Sequence, residues 1–176
     1  MKKWIFFILL LSPSTYALPY HYSANVAAII FSKEPAHFNG WQARLSYYPD
    51  KLTWPSLRLF FDGGFSYFRL TKNRPHRTIQ IYAIAPVLRY YFKRESIFLP
   101  FVDASIGFAY LNRTRFDNRN LGMNFSFQDR IGLGALLGNR NQFSLTIYAI
   151  HYSNGSLSSH NSGITAPLMI DFGYHF

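Results

Sequence analysis

The chain is predicted to be an all-β protein, an eight-stranded antiparallel transmembrane β-barrel, on three observations. Aromatic residues make up 19% of the sequence, with 13 Tyr and 18 Phe, a load that a water-soluble domain has little use for and that a barrel spends on its lipid-facing band and interfacial girdles. Beyond the first residues no segment approaches the eighteen or so apolar residues of a spanning helix. Segments of alternating apolar and polar residues, separated by turn residues, recur about eight times, and each supplies the roughly 9–11 residues a tilted spanning strand needs.

The N-terminus reads as an export leader over residues 1–17: Lys2 and Lys3, then an apolar run from Trp4 to Leu11, then small residues at Thr15 and Ala17 for cleavage. Its apolar core is too short to span a bilayer. The remaining 18–176 is expected to be a single barrel. In order, the expected strands are 22–33, ended by Lys33-Glu-Pro35; 37–48, ended by Pro49-Asp-Lys51; 55–70, ended by Lys72-Asn-Arg-Pro75; and 78–92, ended by Lys93-Arg-Glu95. Then come 98–111, followed by a break over Arg113–Asn120; 121–138, ended by Asn139-Arg-Asn141; 142–154; and 164–176. In the last of these Leu168, Ile170, Phe172, Tyr174 and Phe176 share one phase, while Asp171, Gly173 and His175 share the other. A chain that ends on an aromatic in the outward phase resembles the sorting signal of bacterial outer-membrane barrels, so the expected location is the outer membrane.

The formal net charge is +10 and there is no cysteine. Basic charge alone suits nucleic acid, but an exported chain meets phosphate on lipids and lipopolysaccharide, so no nucleic-acid partner is expected. Missing cysteines exclude nothing, because disulfides are optional in oxidising compartments. His21, His37 and His76 lack metal-ligand spacing, and His160 lies in a Ser-rich loop; no metal or other cofactor is called for.

The run Phe143–Ser153 carries the chemistry. Side chains two apart in a strand point the same way, so His151 and Ser153 join the apolar row of Phe143, Leu145, Ile147 and Ala149. A serine becomes a nucleophile when an imidazole takes its proton, and a polar pair closing a lipid-facing row calls for a functional explanation. Asp129 is a second polar residue in an outward row, with Phe125, Phe127, Ile131 and Leu133. A three-residue turn at 139–141 would set Asp129 directly opposite His151. Its bland alternative is a salt bridge to Arg130 or Arg113. Asp103 and Asp171 fall in inward phases and suit a polar interior.

Leu99-Pro-Phe-Val-Asp-Ala-Ser-Ile-Gly107, Asn120-Leu-Gly122 continuing to Phe127-Gln-Asp-Arg-Ile-Gly132, and Ile150-His-Tyr-Ser-Asn154 followed by Asn161-Ser-Gly163 resemble the outer-membrane lipid A 3-O-deacylases. The similarity is specific over about 97–165 and diffuse over 38–96. It implies an eight-stranded barrel that hydrolyses the ester at the 3 position of lipid A, with lipid A or lipopolysaccharide and outer-membrane lipids as partners; a homodimer is compatible with it. It further implies His151 as general base, Ser153 as nucleophile, Asn161 as a side-chain oxyanion donor and Asn154 as the residue holding the loop. Where the family has an oxyanion glycine this chain has Ser156, just after Gly155, and where it has the triad glutamate this chain has Thr165. Thr165 is expected to reach His151 only if a bulge near Pro167 reverses the strand phase. Asp129 is the alternative acid. The competing functions are a non-catalytic barrel on the same scaffold, weakened or silenced through Thr165, and a structural or adhesion barrel unrelated to lipid A. The basic residues Arg113, Arg115, Arg119 and Arg140 are candidates for the lipid phosphates.

Overall fold

The computed structural model describes residues 19–32, 35–92 and 98–176; the export leader lies outside them. Among the described residues ten strands form: β1 (Tyr22–Phe31), β2 (Phe38–Tyr47), β3 (Leu57–Leu70), β4 (Thr78–Tyr91), β5 (Phe98–Leu111), β6 (Arg115–Phe116), β7 (Arg119–Asn120), β8 (Phe125–Leu137), β9 (Phe143–Ser153) and β10 (Ile164–His175). Eight of them close an antiparallel barrel in the cyclic order β1-β10-β9-β8-β5-β4-β3-β2, and β6 pairs with β7 in a separate ribbon.

The alternation read from the sequence sets the two faces. In β10 the aromatic phase is outward, with Phe172, Tyr174 and Phe176 each about half exposed, while Asp171 and His175 are buried inside. Leu145 and Ile147 of β9 and Ile131 and Leu133 of β8 are likewise exposed on the outer surface. These residues face lipid, and the membrane removes that surface from water.

Inside, charges neutralise one another. Arg44 meets Asp171 at 2.8 Å, Arg130 meets Asp62, and Arg89 grips Asp103 through two bonds of 2.7 and 2.8 Å while lying 3.6 Å above the Phe101 ring. The inward phases expected for Asp103 and Asp171 are thus observed. The void left among these side chains is about 10 Å³, space for one water at most. At this level the described side chains fill the interior.

Two strand expectations change. The break at 113–120 contains the β6-β7 ribbon, and the following strand starts at Phe125 rather than 121. The reason is a competing contact: Phe116 turns into the barrel mouth, fully buried, with its ring edge-on to Phe38, and Leu121 is buried beneath the 154–163 loop. Alternation over this segment does not report those contacts.

Candidate active site

β8 and β9 are joined by a tight turn in which the Asn141 N–H donates to the Gly138 carbonyl at 2.9 Å. The resulting register pairs Leu137 with Phe143, Asp129 with His151 and Phe127 with Ser153. His151 and Ser153 sit at the rim, both half-buried on the outer face. Tyr152 between them points inward and is buried. Its hydroxyl is bonded to Gln128 at 3.2 Å and lies 3.4 Å from both Gln42 and Ser66, which pins the strand and holds its neighbours outward.

On the other side, β10 is bulged. Thr165 pairs with His151 and Ala166 with Ile150, but below the irregularity Met169 pairs with Tyr148, one residue out of step. Pro167 and Leu168 are consecutively exposed, so the phase reverses between them. The reversal turns Thr165 outward, and its Oγ1 lies 2.8 Å from His151 Nδ1. The bulge on which the approach of Thr165 to His151 was conditional is present, at a proline that could not have donated to the ladder.

Asp129 also stands in line with His151, between it and Ile106 of β5, where opposed Cβ atoms lie roughly 4.5–5.5 Å apart. No hydrogen bond joins Asp129 to the imidazole among the described residues, which is turned toward Thr165. The salt bridge to Arg130 does not form either, since Arg130 faces the interior and binds Asp62.

The 154–163 loop is built on Asn154. Its backbone N–H donates to Asn161 Oδ1 at 3.0 Å, its amide donates to the carbonyls of Leu121 (3.0 Å) and His160 (2.7 Å), and its Oδ1 accepts the Ser156 N–H at 3.0 Å. The Ser156 N–H is thus engaged within the loop. Gly155 and Ser156 both adopt positive φ, 61° and 64°, and the Gly155 N–H has no partner among the described residues. Asn161 Nδ2 reaches Ser156 Oγ only at 3.4 Å, leaving its amide nearly free. His160 is exposed, as expected of a solvated loop residue.

Gly163 has a role that residue-type reasoning passed over. A Cβ there would lie 2.6 Å from His151 Cε1 and 2.9 Å from the Tyr152 carbonyl, so this glycine makes the space the imidazole occupies. Its only trace in the sequence is the Asn161-Ser-Gly163 motif. Gly163→Ala is expected to displace the ring and cut esterase turnover by at least about tenfold, the scale of a misplaced catalytic group, with the heat-modifiable mobility of the folded barrel unchanged on gels.

Below His151 an apolar furrow runs down the outer wall. Ala104 and Ala149 form its floor between the larger Ile106, Ile131 and Ile147, and it continues past Leu133 to Pro167 and Leu168. Above, Phe108, Phe125 and Phe127 cluster in tilted and edge-on contacts with ring centroids 5.2 to 6.0 Å apart, and Phe127 is paired with Ser153. Among the described residues no group of three or more His, Asp or Glu is gathered as a metal site. Arg113, Arg115 and Arg119 are at the same end of the barrel as His151. Arg140 is in the β8-β9 turn at the other end, roughly 30 Å of strand away, so it does not share a headgroup with them.

Comparisons with known proteins place the chain in a family. The family profile described as lipid A 3-O-deacylase (PagL) matches residues 38–175. The chain is 32% identical over 168 residues to the lipid A deacylase PagL of Pseudomonas aeruginosa, covering 93% of this chain and 94% of that one. It is 31% identical over 124 residues to the protein of the same name from Bordetella bronchiseptica, covering 70% of this chain and 65% of that one. The crystal structure of the outer membrane enzyme PagL superposes with a TM-score of 0.68 at 29% identity, covering 86% of this chain and 98% of that one. Neisserial surface protein A shares the fold, with a TM-score of 0.52 at 17% identity over 88% of this chain and 96% of that one. The protein is an outer-membrane β-barrel, and the chain belongs to the PagL family of lipid A 3-O-deacylases.

Proposed function

We propose that this protein is a serine esterase that removes the 3-O-linked acyl chain of lipid A in the outer leaflet. The observation that carries the proposal is the outward row at the rim: Ser153 and His151 on one strand, with the His151 ring held 2.8 Å from Thr165, directly above an apolar furrow on the membrane-facing wall. An external site suits a substrate that is itself a membrane component and arrives by lateral diffusion. The furrow suits an acyl chain descending into hydrocarbon.

In this reading His151 Nε2 takes the Ser153 proton as Oγ attacks the ester carbonyl. The imidazolium then returns the proton to the departing sugar 3-oxygen, and a water, activated by the same base, releases the fatty acid from the acyl-enzyme. Charge developing on the carbonyl oxygen is met by the Asn161 amide and the Gly155 N–H, with Asn154 and Ser156 fixing the loop that carries them. Lipid A and the surrounding outer-membrane lipids are the partners, and the aromatic outer wall is compatible with a homodimer.

The test is incubation of the purified protein with lipid A followed by mass spectrometry. The expected result is loss of one 3-hydroxyacyl chain. One specific observation favours the second reading, a barrel without turnover: Thr165 brings no negative charge to His151. Unchanged lipid A, with correctly folded protein, would establish that reading instead.

A further inference from the structure

The rim carries a second polar feature. The loops at 71–77 and 112–124 hold Lys72, Arg74, Arg77, Arg113, Arg115 and Arg119 against one carboxylate, Asp117. Asp117 is buried and committed. Its carboxylate takes Arg74 at 3.2 Å, and its N–H donates to the His76 carbonyl at 3.1 Å, tying the two loops together. Both residues at that junction adopt left-handed backbone, φ 53° at His76 and 55° at Asp117, a strained arrangement that persists only where the surroundings over-determine it.

Between the loops lies an open polar cradle lined by His76, Asn112, Arg113, Thr114, Arg115 and Asn124. Its floor is braced: Asn112 extends the ladder to Gln80 through bonds of 2.9 and 3.0 Å, and the Asn124 amide donates to the Leu111 carbonyl at 2.7 Å. The ribbon above it is anchored by the buried Phe116. The Arg113 and Arg115 side chains are exposed and have no ion-pair or hydrogen-bond partner among the described residues. Two guanidinium groups without side-chain partners are thus carried on a braced frame, and guanidinium matches phosphate oxygens bidentately. The cradle stands over β4 and β5, and β5 is two strands from the His151 strand, roughly 10 Å around the barrel, within the compass of one glycolipid headgroup.

We propose that this cradle binds a phosphate group of the outer-leaflet glycolipid whose acyl ester lies at Ser153, so that Arg113 and Arg115 orient the headgroup. The proposal rests on the lipid A reading above for its choice of glycolipid.

Binding is measured on the full-length barrel in detergent by tryptophan fluorescence, using 3-O-deacylated lipid A, which cannot be turned over, with both phosphates present or enzymatically removed. The wild type is expected to prefer the phosphorylated lipid by about tenfold, as charge-assisted guanidinium bonds imply. R113Q/R115Q is expected to lose that preference. K51Q, altered at the opposite end, is expected to keep it, and salt is expected to narrow it. Full preference in the double variant, no preference in the wild type, or equal competition by phosphatidylglycerol would overturn the assignment. Because no turnover is involved, phosphate-dependent binding by a protein that hydrolyses nothing upholds this site and removes only the esterase reading.

Discussion

Ser153→Ala is expected to reduce release of the 3-hydroxyacyl chain by about 10⁴-fold or more, to the level of catalysis that binding and the oxyanion donors supply alone. His151→Ala is expected to do the same, and the double variant no worse than either single one, because nucleophile and base act as one unit. Both residues are half-buried on the lipid-facing rim and neither contributes to the interior salt-bridge lattice, so the folded barrel should survive. The measurement is mass spectrometry of lipid A after incubation with each variant, alongside heat-modifiable gel mobility as the check on folding. Normal turnover by either variant would remove the assignment of roles.

Thr165→Glu is expected to raise the rate by one or more orders of magnitude. Thr165 Oγ1 lies 2.8 Å from His151 Nδ1, but a hydroxyl both donates and accepts. When it donates, the ring proton sits on Nε2, which then has no lone pair with which to take a proton from the serine. When it accepts, the tautomer is right but the imidazolium formed during reaction meets no opposing charge. A carboxylate at that position only accepts and supplies the charge, and losing such a group from a triad costs on the order of 10⁴ in rate, which bounds the gain. Asp129 faces His151 from β8 without bonding to it, so Asp129→Asn is expected to lower the rate by about tenfold, as a general electrostatic contribution rather than a tautomer-setting one. Parallel kinetics of the two variants decide the matter. No gain from Thr165→Glu together with near-complete loss in Asp129→Asn would transfer the acid's role to Asp129.

These expectations rest on two kinds of information. Alternation within each strand determined by itself which residues face lipid, because the period of two is a local property of extended backbone; hence the outward row through His151 and Ser153, the inward Asp103 and Asp171, and the wall of Leu145 and Ile147 were all legible. So was the Asp129–His151 pairing, since a tight turn transmits register between adjacent strands without help from the rest of the fold. Tertiary structure alone decided what breaks periodicity or joins distant segments. The bulge at Pro167 was expected as a condition, but only the register of β10 against β9 established it and brought Thr165 onto His151. The choice between Thr165 and Asp129 as hydrogen-bond partner depends on a side-chain rotation that spacing does not encode. Commitment of the Ser156 N–H to Asn154, the space cleared by Gly163, and the docking of Leu121 beneath the 154–163 loop arise from loops packing over the barrel mouth, where neither a period nor a turn rule relates one residue to the next.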